Sequence, residues 1–126
     1  ALPIYVEAFT SRYHWRTRID KKPTENIHNG KIDTIYIVKI SGSELFFYKT
    51  QRRDLFYRAF IKNRRIKLTN DIRVGMKRDE FFDSFSNLKP TDKDKLVISN
   101  RDKISKCIFK FKWNRLWEIQ FDYYID

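Results

Sequence analysis

The chain has 126 residues, 27 Lys and Arg against 16 Asp and Glu, a net charge of +11, and 41% hydrophobic residues. That length fits one domain, 1–126, with a radius of gyration of roughly 14 Å, and the apolar content excludes a disordered chain. Aromatics reach 17% with only 3 Gly and 3 Pro, which favours pleated sheet and excludes a low-complexity linker. No apolar run is long enough for a transmembrane helix, and the single Cys107 excludes an internal disulfide.

Residues 12–19 alternate. Tyr13, Trp15, Thr17 and Ile19 share one side of a strand; Arg12, His14, Arg16 and Arg18 share the other. Asp20 to Gly30 collects Lys, Pro, Asn and Gly and reads as a loop. Thr34 to Ile40 is a second strand, broken by Ser41-Gly42-Ser43, and Glu44 to Lys49 resumes as a third. Ser41-Gly42-Ser43 lacks the Lys-Ser/Thr of a phosphate loop and is a hairpin turn. Leu55 to Ile61 alternates as a strand, although Phe56, Phe60 and Asn63 also fit helical spacing. A two-residue turn at Asn63-Arg64 would set Ile61 against Ile66 and Ala59 against Leu68.

Arg78 to Asn87 is the clearest helix, with Phe81, Phe82, Phe85 and Leu88 on one stripe and Asp79 and Glu80 in its first turn. Lys89-Pro90 stops it. Gly75, between a strand pattern and this helix, is expected to take a positive φ. Lys95 to Ser99 is a short strand. In the C-terminal hairpin, Cys107, Phe109, Phe111 and Trp113 alternate with Ile108, Lys110 and Lys112, and Trp117, Ile119, Phe121 and Tyr123 alternate with Glu118, Gln120 and Asp122. A three-residue turn pairs Phe111 with Ile119, Phe109 with Phe121 and Lys112 with Glu118. Phe81, Phe85, Phe109, Phe111, Ile119 and Phe121 then form one core. The expected class is α+β, an antiparallel meander with one or two short helices packed on one face.

From Ile72 onward the chain resembles small bacterial envelope lipoproteins of the SmpA/OmlA type, and more loosely the β-lactamase-inhibitor-like fold. The matching residues are Ile72, Val74, Gly75, Met76, Glu80 and Phe81, followed by the aromatic strands from Cys107 to Tyr124. Lys77 stands where that family usually has a Ser or Thr helix cap, and Lys89-Pro90 where it often has Gly-Pro. The resemblance implies an envelope protein, periplasmic or anchored in the outer membrane, that works by protein contact and carries no catalytic residues. Any signal peptide or lipid-attachment cysteine would lie upstream of Ala1; a cytoplasmic protein is the alternative.

The candidate chemistry is sparse. His14, His28 and Cys107 lack metal-ligand spacing, and Cys107 sits in an apolar alternation typical of a buried thiol. Asp79 and Asp83 lie one helical turn apart, on what reads as a solvated acidic face. No catalytic residue, metal, cofactor or small-molecule substrate is therefore assigned. The functional weight falls on cations: Arg12, Arg16 and Arg18 on the first strand, and Arg52, Arg53, Arg64 and Arg65 in the basic 49–67 segment. These residues are expected to meet a protein partner or an anionic membrane surface across a basic, aromatic-rich sheet. The alternative is a nucleic-acid-binding domain using 49–67, whose binding would be non-specific because no recognised motif is present. Charge that serves only solubility or guards a sheet edge is the bland reading.

Overall fold

In the computed structural model, residues 17–25, 30–50, 54–66, 68, 71–99 and 105–123 are described. They form β1 (Thr17–Glu25), β2 (Ile32–Ile40), β3 (Ser43–Lys49), β4 (Asp54–Ile61), α1 (Arg78–Asp83), β5 (Lys95–Ser99), β6 (Ser105–Lys112) and β7 (Arg115–Tyr123). The strands make one antiparallel sheet in the order β1-β2-β3-β4-β7-β6-β5.

The inner face of the sheet carries the core. Val38, Leu45, Ala59, Ile61, Phe109, Phe111 and Ile119 are buried there, because alternation sends their side chains to one side. Two things cover that face. One is α1, through Phe81 and Phe82. The other is the irregular stretch before it, through Ile66, Ile72, Val74 and Met76. The Phe81 ring lies 4.8 Å from Phe109 and 5.0 Å from both Phe111 and Phe85. Phe85 and Phe121 pack against this cluster half-buried, so the six residues expected to share a core do so.

The α+β expectation is overturned. Among the described residues seven strands face one helix of six residues, and the fold is β-rich. The apolar stripe Phe81, Phe82, Phe85, Leu88 is long enough for more, but the helix stops at Asp83. Ser84 Oγ takes up the Glu80 carbonyl at 2.9 Å, and the Phe85 N–H turns back to the Phe82 carbonyl at 3.2 Å. Ser84, Ser86 and Asn87 bond locally in ways that compete with helix propagation. The stripe still packs on the core, with Phe81 and Phe82 buried and Phe85 and Leu88 half-buried, but its second half does so as a tight turn followed by loop.

Three local expectations also change. Asp20 to Glu25 is strand rather than loop: β1 pairs with β2 from Thr17 opposite Ile40 to Glu25 opposite Ile32. Pro23 is tolerated because β1 has a single neighbour among the described strands, and an edge position needs no ladder N–H on its open side. Ile66 and Leu68 do not pair back on β4. Its partners are β3 and β7, and Ile61 faces Ile119. Ile66 instead turns under the sheet into the core. The stretch 12–16 lies outside the described residues.

The C-terminal hairpin keeps the expected parity and changes the pairing. Phe109 faces Ile119, Cys107 faces Phe121 and Lys110 faces Glu118. The turn is two residues, Trp113 and Asn114, with φ of 54° and 58°. Both are left-handed, as the tight turn that matches strand twist requires. The odd residue expected in the turn lies instead in a bulge: Lys110 faces Glu118 but Phe111 faces Leu116, leaving Trp117 extra. The bulge restores one apolar face while displacing Trp117 outward, where it is 43% exposed.

Candidate anionic-partner interface

The register puts several chain segments at one end of the sheet. β6 and β7 meet there at Trp113-Asn114, β2 and β3 at Ser41-Gly42, and β4 ends there before Lys62 to Arg65. β5 begins at the same end with Lys95 opposite Lys110, and α1 begins beside it.

Gly75 sets this junction. Its φ is +98°, and a Cβ built on it would stand 2.8 Å from Arg64 Nε. The Gly75 N–H donates to the Leu116 carbonyl at 2.6 Å, and Leu116 N–H returns to the Met76 carbonyl at 2.9 Å. Arg115 Nη1 donates to the Gly75 carbonyl at 2.8 Å. The chain then runs alongside the start of β7, and the Arg78 N–H donates to the Asn114 carbonyl at 2.8 Å. Lys77 caps α1 in extended conformation without a side-chain bond, as a lysine must.

Arg78 is structural rather than available. Its guanidinium stacks on the Phe111 ring at 4.5 Å. It donates to the Thr91 carbonyl at 3.1 Å, the Lys93 carbonyl at 2.7 Å and Asn114 Oδ1 at 3.2 Å. It therefore clamps the approach to β5 and the β6–β7 turn onto the helix. Beside it lies a cleft of about 300 Å³ lined by Lys77, Arg78, Asp79, Trp113, Asn114 and Arg115. Trp113 is 87% exposed, so the expectation that it joins the buried face with Phe111 is corrected. At the turn its side chain leaves the alternation. Lys112 Nζ lies 4.6 Å from the centre of its ring. Lys77, Lys93 and Lys95 are exposed and have no ion pair among the described residues.

Of the cations singled out in the sequence, Arg12, Arg16, Arg52 and Arg53 lie outside the described residues. Arg18 stands on edge strand β1, where its Nε pairs with Asp20 at 3.3 Å. Lys39 also reaches Asp20, at 3.1 Å. That hydrogen bond, with the two positive charges, holds the Asp20 carboxyl below its ordinary range. Arg64 and Arg65 are exposed after β4, and Arg64 lies across Gly75 near the cleft. Arg64 and the cleft are thus brought together, while Arg18 is on the far edge of the sheet. The basic 49–67 segment is not one surface. Lys49 lies over the Tyr36 ring at 5.5 Å, whereas Arg58 pairs with Asp122 at 2.8 Å on the outer face.

The sequence reading missed Lys77, Lys93, Lys95, Lys112, Trp113 and Arg115 as a group. The signal was Lys112-Trp113-Asn114-Arg115, where an Asn at a hairpin centre marks a turn that exposes its neighbours.

The remaining candidates are quiet. Cys107 is half-buried beside Phe121, and burial pushes its thiol up to about 11. Asp79 and Asp83 are both exposed. His14 and His28 lie outside the described residues, and among the described ones no group of His, Cys, Asp or Glu is placed to hold a metal. No helix among them is long and apolar enough to cross a membrane. Comparisons with protein-family models, curated proteins and solved structures return no match.

Proposed function

We propose that this chain is a non-enzymatic interaction module of the bacterial cell envelope, which recognises an anionic partner through the basic end of its sheet. The observation that carries the reading is that Lys77 and Arg115 line one cleft with an exposed indole, Lys112 lies over its ring, and Lys93 and Lys95 stand at the neighbouring start of β5, with Asp79 in the same cleft and Asp94 paired to Arg78. Five cations from four segments converge there without acidic partners of their own among the described residues. Such a cluster raises the local concentration of anions and speeds their encounter. The cleft brings no paired acid and base, and no nucleophile beside a base, so recognition is what this arrangement supports. The envelope location rests on the resemblance carried by Ile72, Val74, Gly75, Met76, Glu80 and Phe81.

Retention on a sulfated polysaccharide matrix at rising salt tests the binding half. Lys77→Glu with Lys95→Glu should elute the chain much earlier. Lys22→Glu with Lys106→Glu, the same charge change at the other end of the sheet, should elute it only slightly earlier. Equal shifts from the two pairs would mean that net charge alone is responsible. Fractionation of cells making the full gene product tests the location: recovery in the cytoplasm would remove it.

A further inference from the structure

We propose that the anionic partner is a lipid bilayer surface, met end-on by the β6–β7 hairpin tip, with the Trp113 indole seated among the head groups. This deepens the reading above and rests on it. Trp113 is a residue that the fold does not ask for. Trp113 holds a φ of 54°, a left-handed conformation that favours Gly, Asn or Asp and is an outlier for a bulky side chain. It is also 87% exposed, so its ring contributes nothing to the core. A residue that is both strained and unburied at a turn points to a role outside the fold.

The surroundings say what. Tryptophan prefers the membrane–water interface, where an apolar ring and a polar N–H are both accommodated. Lys112 places an ammonium 4.6 Å from the ring centre, so a cation accompanies the indole to a surface of lipid phosphates. Lys77 and Arg115 line the adjacent cleft, and Lys93 and Lys95 stand at the neighbouring strand start. These groups gather at one end of the sheet, around the hairpin tip and the cleft beside it, rather than run along its length, which suits a planar partner. A single-stranded nucleic acid fits less well. It needs a track of cations with several aromatic platforms for successive bases. Trp113 is the one aromatic in this cleft, and a lysine covers one of its faces.

The test uses the full chain with vesicles of phosphatidylcholine alone and of equal parts phosphatidylcholine and phosphatidylglycerol. Co-sedimentation should occur with the anionic vesicles and be negligible with the neutral ones. Brominated phosphatidylglycerol should quench the indole fluorescence, and Trp113→Gly should abolish the component quenched. Each of Lys77→Gln and Lys95→Gln should weaken vesicle binding about fivefold, the effect of one cation near an anionic surface. Trp113→Gly should weaken it about tenfold or more while melting no lower than the parent chain, which separates loss of contact from loss of fold. Unchanged binding by Trp113→Gly, or no quenching by brominated lipid, overturns the proposal. Retention on the sulfated matrix with indifference to vesicles overturns the membrane and leaves the anionic-partner reading intact. Quenching of Trp113 by a single-stranded oligonucleotide but not by brominated vesicles makes the partner nucleic acid. Failure to bind either matrix or vesicles removes both readings.

Discussion

Asn63 Nδ2 donates to Ser43 Oγ at 2.7 Å, joining the second residue after β4 to the first residue of β3. Ser43 is fully buried, and its Oγ also accepts the Lys62 N–H at 2.8 Å. Asn63 goes on to donate to the Ile40 carbonyl at 2.7 Å and to accept the Arg65 N–H at 3.0 Å. One amide thus ties the β2–β3 turn to the turn that carries Arg64 and Arg65, and fixes the far part of the basic end.

Ser43→Ala leaves the Lys62 N–H and the Asn63 amide short of an acceptor. A loss of about 1–3 kcal/mol is expected, the cost of a stranded buried donor. Asn63→Ala should cost a similar amount. Because the two residues share one bond, the double variant should lose less than the sum. Chemical denaturation of the four proteins measures this directly, and strict additivity would mean that the bond contributes nothing.

Gly75→Ala should destabilise the chain by about 1–3 kcal/mol, the range for a non-glycine residue in a sparsely populated backbone region. Two obstacles act at this site, the φ of +98° and the Arg64 side chain that a Cβ would meet. The second is the tip of a flexible arginine and can move. Adding Arg64→Ala to Gly75→Ala should therefore recover little of the loss. Full recovery would show that crowding, not backbone conformation, selects glycine here.

Phe111→Ala should cost about 3–5 kcal/mol, as expected for an aromatic removed from a packed core. Phe111 meets the Phe81 ring at 5.0 Å and supports the Arg78 guanidinium at 4.5 Å. The variant should therefore loosen the cleft as well as the core. Thermal melting reports the first effect. Faster amide exchange at Arg78, whose N–H is held by the Asn114 carbonyl, reports the second.

The elements legible in the sequence were those whose pattern coincides with their burial. β2, β3, β4, β5 and the parity of the last hairpin follow from alternation, because Val38, Leu45, Ala59, Phe109 and Ile119 all face the core. What alternation could not show was where an extra residue sits. A three-residue turn and a two-residue turn with a bulge at Trp117 keep the same faces and differ only in partner. The continuation of β1 through Lys21-Lys22-Pro23 was hidden because edge positions tolerate polar residues and proline. The sequence extends the helix too far because the stripe spacing persists through Phe85 and Leu88 after the helix has ended at Asp83. The basic end was illegible as a unit: Lys77, Lys95 and Arg115 are far apart in sequence and meet only through the strand order.

The Cys107 thiol, pushed up to about 11 by burial, should react slowly with alkylating reagents near neutral pH until the chain unfolds. In the unfolded chain the thiol ionises near its ordinary 9.0, while the folded chain keeps its proton to about 11. Between those values the folded state binds more protons, so this group's contribution to stability falls as pH rises through the window and is constant below it. Cys107→Ala should lack that component when the two chains are denatured on either side of the window. An identical pH dependence in both would place the thiol in contact with water.

Binding to duplex DNA is expected to be weak and indifferent to sequence. The charge of +11 is enough to draw phosphates. Yet the one described helix is six residues long, with Asp79, Glu80 and Asp83 exposed along it, and an acidic helix repels a duplex backbone. The cations of the 49–67 segment do not form a stripe either, since Arg58 is paired with Asp122 and Lys49 lies against Tyr36. Non-specific electrostatic binding has dissociation constants of about 10⁻⁴–10⁻⁶ M at physiological salt and weakens steeply as salt rises. Titration against unrelated duplexes at low and physiological salt should show this behaviour. Lys77→Gln and Lys95→Gln should each make the salt slope slightly shallower, because each removes one cation able to displace counterions. Tight binding that survives physiological salt and prefers one sequence would overturn the interface reading and return the function to the 49–67 segment.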